Sequence, residues 1–192
     1  MKKIMILLLT VAMALSLAAC GTTASNESGA PTESSTSQSA ALTESTEQII
    51  ADIYAQKKVD LDLSTLPVDL TDEYAVEHDL GLKDGSVIKE ASVSEPDITA
   101  QAYSLVVARV NDASKTEEIA KEMANGINQS KWVCVTADDM KVMTKGDVIV
   151  LFMVDSEFSD TVTSDEIEHA FQTVCGGSLD AVILRSDSGQ SR

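Results

Sequence analysis

Aromatic and basic residues are scarce in this chain. Aromatic side chains make up 4% of its 192 residues, and 14 Lys and Arg stand against 31 Asp and Glu, which gives a formal charge of −17. Nucleic-acid phosphates and anionic lipid headgroups are bound by clustered Lys and Arg, so this charge argues against both as partners. The length suits one domain of ordinary size with a tail.

The sequence also lacks the usual signatures of catalysis and of cofactor binding. It contains no Walker or dinucleotide glycine loop, no GxSxG elbow, no HExxH and no CxxC pair. The two histidines, His78 and His169, stand beside acidic residues, and we interpret both as solvated side chains. The sequence therefore predicts no cofactor, no metal ligand and no catalytic residue.

The first twenty residues have the three parts of a bacterial secretory signal. Two lysines precede an apolar run that ends in Leu17-Ala18-Ala19-Cys20. The run is shorter than the roughly 20 residues that a membrane-spanning helix needs. The last four residues resemble the lipobox of bacterial lipoproteins, in which the cysteine receives a diacylglyceryl group and a peptidase cuts before it. The resemblance implies a signal peptide at residues 1–19 and a lipid anchor on Cys20.

A diacylglyceryl anchor would hold the protein on the extracytoplasmic face of the cell membrane, because two acyl chains bind a bilayer stably. Removal of residues 1–19 would leave 173 residues with a charge of −19. Residues 20–45 are rich in Ser and Thr and poor in large apolar residues, so we expect a disordered tether. A flexible chain of that length spans roughly 25–30 Å.

Four segments of the following chain have helical patterns. Capping-box spacings at Ser45/Gln48, Ser114/Glu117 and Thr163/Glu166 each precede apolar residues at helical intervals. They predict a helix over residues 46–57, a second one through Ile127 and a third one that ends at Gly176. A short helix over residues 72–80 is predicted to end at Gly81.

Alternating or continuous apolar runs predict the strands. They cover residues 87–93, 103–110, 132–135, 140–143, 148–154 and 181–184. Val148–Val154 is apolar at every position, which is typical of a central strand covered on both faces. Because hairpins dominate, we predict an α+β fold with a mainly antiparallel sheet and helices packed on one face. This single domain would cover residues 46–185, and a disordered tail would follow at 186–192.

Four motifs of this domain are familiar together: "QAYSLVVARVND", "GINQSKWVCVTADD", "KGDVIVLFMV" and a helix that ends in "CGG". With the lipobox and the tether, they resemble a domain of unknown function that is common in lipoproteins of Firmicutes, especially anaerobic gut clostridia. The resemblance covers roughly residues 46–180. It implies an extracytoplasmic location and a compact α+β fold, and it carries no catalytic residue.

Two side-chain groups remain as candidate sites. Cys134 and Cys175 could form a disulfide outside the cytoplasm, or they could be two buried free thiols, and the sequence leaves both open. Acidic clusters at Asp138-Asp139 and between Asp155 and Glu166 could hold Ca²⁺, although none has the EF-hand pattern. Solubility and turn formation are the simpler interpretation of these clusters.

These observations favour a membrane-anchored lipoprotein whose domain binds an envelope protein, a wall polymer or a small ligand without catalysis. Two alternatives remain open. A cell-wall hydrolase would use carboxylates between Asp155 and Asp165, since paired carboxylates can do acid–base chemistry. A solute-binding lipoprotein of a transporter usually has two lobes, and the 140 residues from 46 to 185 are few for that.

Overall fold

The computed structural model describes residues 42–98, 100–158 and 160–185. The predicted signal peptide, the lipidated Cys20, the tether up to residue 41 and the tail at 186–192 lie outside the described residues. Within the described residues, no helix is both long enough and apolar enough to cross a membrane.

Six strands form one sheet in which every neighbouring pair is antiparallel. The order across the sheet is β1-β2-β3-β5-β4-β6. The strands are β1 (Leu63–Pro67), β2 (Ile88–Pro96), β3 (Tyr103–Val110), β4 (Asp139–Lys145), β5 (Val148–Val154) and β6 (Ala181–Ile183). The predicted α+β class with an antiparallel sheet is therefore confirmed, and so is the tight hairpin between β4 and β5.

Four α-helices accompany the sheet in the described part of the chain. They are α1 (Thr46–Gln56), α2 (Glu73–Ala75), α3 (Thr116–Gly126) and α4 (Ser164–Val174), and α2 continues as a π-helix over Val76–Leu80. Gly81 ends that π-helix in the left-handed conformation, at φ 67°, as the sequence predicted. Three short 3₁₀ turns cover Gly85–Val87, Ala113–Lys115 and Ser156–Phe158.

The helices cover both faces of the sheet, so the prediction that they pack on one face is wrong. Every residue of β3 and of β5 is buried. Successive side chains of a strand point to opposite faces, so two apolar faces need two covers. One core joins α1 and α4 to Tyr103, Leu105, Val107, Val148, Val150 and Phe152. The other core joins α3 and the π-helix to Val106, Ala108, Val110, Ile149, Leu151 and Met153.

Two of the three predicted helix caps are confirmed. The Thr163 hydroxyl accepts from the N–H of Glu166, and the Glu166 carboxylate accepts from the N–H of Thr163, which completes that capping box. Ser45 caps α1 by accepting from the N–H of Gln48. The box at Ser114 is wrong, because Asp112 accepts from both the N–H and the hydroxyl of Ser114. A 3₁₀ turn therefore comes first, and α3 begins only at Thr116.

Residues 132–135 form a loop, so the strand predicted there is wrong. Two hydrogen bonds between Gln129 and Ala137 close the loop. The backbone N–H of Ala137 donates to the carbonyl of Gln129 at 2.9 Å, and the side-chain amide of Gln129 donates to the carbonyl of Ala137 at 2.8 Å. Cys134 within it has a positive φ of 64°, which no regular strand contains. The structure instead adds β1, a strand that the sequence did not predict, because its apolar pattern is short and ends in Pro67.

Candidate functional site

The two candidate disulfide partners are free cysteines in the structure. Cys134 is exposed in the loop after α3, and Cys175 is buried at the C-terminal end of α4. Burial raises the pKa of the Cys175 thiol to about 11, against a smaller opposing effect of the positive charge on Lys145. The reactive thiolate form of Cys175 is therefore scarce at neutral pH.

Alkylation distinguishes free thiols from a bond. We expect iodoacetamide at pH 8 to label Cys134 of the native protein and to leave Cys175 unlabelled until denaturant is added, because Cys175 is both buried and protonated. Peptide mapping by mass spectrometry measures the two sites separately. A disulfide would instead leave both cysteines unlabelled until a reductant is present, and equal labelling of both in the native state would contradict the buried position of Cys175.

An open cleft of about 360 Å³ lies between the C-terminal end of α1 and one side of α4. Lys57, Asp165, Glu166 and His169 line it. The Nζ of Lys57 lies 2.8 Å from Oε1 of Glu166, and this hydrogen bond holds the pKa of the Glu166 carboxyl below its ordinary value. The charged groups at the cleft are thus partly neutralised by one another.

Lys141 of β4 adds a second ion-pair group beside this cleft. It pairs with Asp165, and its Nζ lies 2.6 Å from Oε2 of Glu168. Burial opposes the charged form of Lys141, but the hydrogen bonds to the two carboxylates outweigh it and raise the pKa of the ammonium group. The network fixes the first two turns of α4 against β4.

Arg109 at the end of β3 forms the most connected polar group of the described residues. It is 6% exposed. Its Nη1 donates to Oδ1 of Asp147 at 2.7 Å, and its Nε donates to Oε1 of Glu90 at 3.2 Å. Nη1 and Nη2 also donate to the backbone carbonyls of Leu42 and Glu44, at 2.9 and 2.7 Å. Arg109 therefore binds the segment that precedes α1 to the middle of the sheet.

A second open cleft, of about 710 Å³, borders Arg109. Its wall includes Leu42, Thr43 and Ser45 of the segment before α1, together with Lys89 and Glu90 of β2. The cleft thus lies where the predicted tether reaches the domain. The sequence offered one signal for this arrangement, an arginine in a mostly apolar strand, and it did not show which groups the arginine would bind.

Lys131 is a buried lysine that the sequence gave no reason to single out. Its side chain is 1% exposed, and its Nζ lies 2.6 Å from Oε1 of Glu95 and 3.6 Å from Oδ1 of Asp79. It also donates to the carbonyl of His78 at 3.3 Å. The Nδ1 of His78 lies 2.7 Å from Asp79, so this half-buried histidine is bonded rather than freely solvated. The group holds the loop after α3 against the π-helix.

The acidic clusters serve as caps and turn-formers. Asp138 accepts from the N–H and the hydroxyl of Ser156, which lowers the pKa of its carboxyl. Asp139 accepts from the N–H of Ser164, and Asp155 accepts from that of Glu157. Among residues 42–98, 100–158 and 160–185, no group of three His, Cys, Asp or Glu side chains is placed to hold a metal ion.

Comparison of the chain with models of protein families, with curated proteins and with solved structures finds no match. The functional proposal therefore depends on the chain's own residues. Of the residues singled out in the sequence, Asp165, Glu166 and His169 come together at one cleft. Cys134 and Cys175 stay apart as free thiols, and Cys20 lies outside the described residues.

Proposed function

We propose that this protein is a lipoprotein anchored through Cys20 to the extracytoplasmic face of the cell membrane, and that its α+β domain is a non-catalytic binding or interaction module. The observation that carries the proposal is the Leu17-Ala18-Ala19-Cys20 pattern directly after a short cationic and apolar segment. The partner would be an envelope protein, a wall polymer or a small ligand.

The contacts of Arg109 support an anchored arrangement. A tether over residues 20–45 would join the domain at Leu42 and Glu44, whose carbonyls Arg109 binds. Arg109 belongs to β3, a central strand of the sheet. The hydrogen bonds from its buried guanidinium would therefore resist a pull on the tether. Such a junction suits a domain that works at a distance from its membrane anchor.

The state of the charged groups supports a non-catalytic module. A general acid or base needs a side chain that is free to exchange a proton with a substrate. At the cleft between α1 and α4, Glu166 is paired with Lys57 and Asp165 is paired with Lys141. These two ion pairs join the end of α1 to α4 and α4 to β4.

Replacement of Cys20 tests the anchor. We expect the wild-type protein to incorporate radiolabelled palmitate in cells and to sediment with membranes, whereas Cys20→Ser should do neither, because a hydroxyl cannot form the thioether. Cys134→Ser is the matched control, since it removes a thiol of the described domain and leaves the lipobox intact. An unlabelled wild type, together with a Cys20→Ser variant that sediments as before, would overturn the proposal.

A wall-directed hydrolase is the second candidate, because Asp165, Glu166 and His169 line one cleft. Paired carboxylates at a cleft are the arrangement that glycoside hydrolases use. Release of soluble fragments from purified peptidoglycan by the wild type, and its loss in Glu166→Gln, would favour this candidate over a binding module.

A further inference from the structure

Strand β1 is one edge of the sheet, and among the described residues no strand pairs with its outer side. The backbone N–H of Val68 donates to the carbonyl of Ala91 on β2 at 2.9 Å. The N–H and C=O groups of successive residues in an antiparallel strand point alternately to its two sides. Those of Leu66 and Ser64 therefore point toward β2, as the N–H of Val68 does. The N–H and C=O groups of Leu63 and Thr65, and the C=O of Pro67, therefore point outward.

The outward side is able to accept another strand. Thr65, Leu66 and Pro67 are exposed, and Leu66 is 61% exposed. Pro67 lacks an N–H, but its nitrogen would face outward and so costs no bond to β2. The opposite edge, β6, is three residues long, so β1 presents the longer free ladder.

The charge around β1 indicates what could bind there. Residues 59–82 contain seven Asp and Glu and no Lys or Arg. Asp60 and Asp62 precede the strand, Asp69 follows it, and all three are exposed. Asp97 of the neighbouring strand end accepts from the hydroxyl of Ser64 at 2.7 Å, which adds a further carboxylate at the same edge.

This charge opposes a second copy of the chain as the occupant, because two edges of this kind would bring carboxylates together at short range. A neutral strand would gain the backbone hydrogen bonds alone. A strand with Lys or Arg side chains would gain the same bonds and would also neutralise the flanking carboxylates.

We propose that the free edge of β1 binds an extended, Lys- or Arg-bearing segment of a partner protein by strand addition. The proposal rests on the proposed function, for which it names the binding surface and the chemistry of the partner. The backbone groups of Leu63 and Thr65 and the carbonyl of Pro67 would bond to the added strand, and the carboxylates at the two ends of β1 would select a cationic one.

The test uses the full-length chain in detergent and a peptide of roughly ten residues in which lysine and threonine alternate. Thr65→Pro removes one outward N–H without a change of charge, and Thr65→Val is the matched control that keeps it. We expect the peptide to bind the wild type and Thr65→Val alike, and to bind Thr65→Pro roughly tenfold more weakly, the effect of one lost hydrogen bond. Replacement of every lysine in the peptide by glutamate should abolish binding.

Amide hydrogen exchange of the wild type provides a second measurement, which does not depend on the folding of a variant. The amides of Leu63 and Thr65 should exchange quickly alone and slowly with the peptide. Equal binding to Thr65→Pro and the wild type, or protection at other amides only, would overturn the proposal as non-specific attraction of a cation to an acidic protein. Palmitate labelling of Cys20 is independent of this result, so failure of the edge proposal and failure of the anchor can be told apart.

Discussion

Replacement of Gly126 with alanine should lower the free energy of unfolding by roughly 2–4 kcal/mol, because the new methyl group would overlap the backbone of another element. A Cβ at Gly126 would stand 2.0 Å from the carbonyl oxygen of Gly81. The contact is mutual, since a Cβ at Gly81 would stand 2.3 Å from the N atom of Ile127. The end of α3 and the end of the π-helix thus cross with no side chain between them.

Relief of this overlap would require the π-helix to move away from α3. Leu80, Leu82, Met123 and Ile127 are all buried in the core that the two elements share. Their displacement would open space in a core where each lost contact costs free energy. We therefore expect a loss of stability even though alanine is the better helix former.

Urea unfolding, followed by circular dichroism, measures the effect of Gly126→Ala. Gly177→Ala is the matched control, because the added methyl group would have no atom within 4 Å beyond the neighbouring residues of the chain, and the φ of Gly177 lies outside the left-handed range. The control should unfold at the wild-type urea concentration. Unchanged stability of Gly126→Ala would show that the two glycines do not cross at this distance.

The elements that could be predicted from the sequence are those that local residues determine. The capping box of Thr163 and Glu166 lies within four residues and was predicted correctly, and the run Val148–Val154 was recognised as a doubly covered strand. A strand that is apolar on both faces needs a cover on each side of the sheet. The prediction of helices on one face was therefore inconsistent with the prediction for this run. Ser114 failed as a cap because a stronger acceptor, Asp112, stands two residues before it.

The features that could not be predicted depend on contacts between distant parts of the chain. Lys131 is buried because Asp79 and Glu95, far away in sequence, meet it at the end of its loop. A lysine between a serine and a tryptophan carries no local sign of this. The residues after it were predicted to be a strand, because Trp132, Val133 and Val135 have high strand propensity. The tertiary contact overrode that propensity.

The same limit applies to the candidate site. Glu166 was identified in the sequence through its spacing from Thr163, yet its pairing with Lys57 joins two helices that are over one hundred residues apart. Similarly, the outward groups of β1 can be assigned only once the register with β2 is known. The acidic residues near β1 can be read from the sequence, but only the topology of the sheet shows that they lie beside a free edge.

Replacement of Arg109 with methionine should lower the free energy of unfolding by about 3 kcal/mol, since removal of one member of a buried ion-pair network leaves its partners unpaired. The partners are Asp147, Glu90 and the carbonyls of Leu42 and Glu44. Asp147 and Glu90 keep some contact with water, at 32% and 40% side-chain exposure, which holds the effect near the lower end of the range for buried pairs.

Arg109→Met should also release the segment before α1, because its carbonyls would lose their donors. Limited proteolysis with N-terminal sequencing of the fragments should then find cleavage near Leu42 at a protease concentration that leaves the wild type intact there. Arg109→Lys should be cleaved near Leu42 more readily than the wild type and less readily than Arg109→Met. A lysine keeps the positive charge, but its single ammonium group cannot bind both carboxylates and both carbonyls as the planar guanidinium does.

Lys89→Met is the matched control for Arg109→Met. Lys89 lines the same cleft and carries the same charge, but it is exposed. Its replacement should leave both the unfolding free energy and the cleavage pattern near the wild-type values, because an exposed cation contributes little to stability. Equal effects of the two substitutions would mean that net charge alone stabilises this region. A selective effect of Arg109→Met would instead assign the stability of the segment before α1 to the directed hydrogen bonds of the guanidinium.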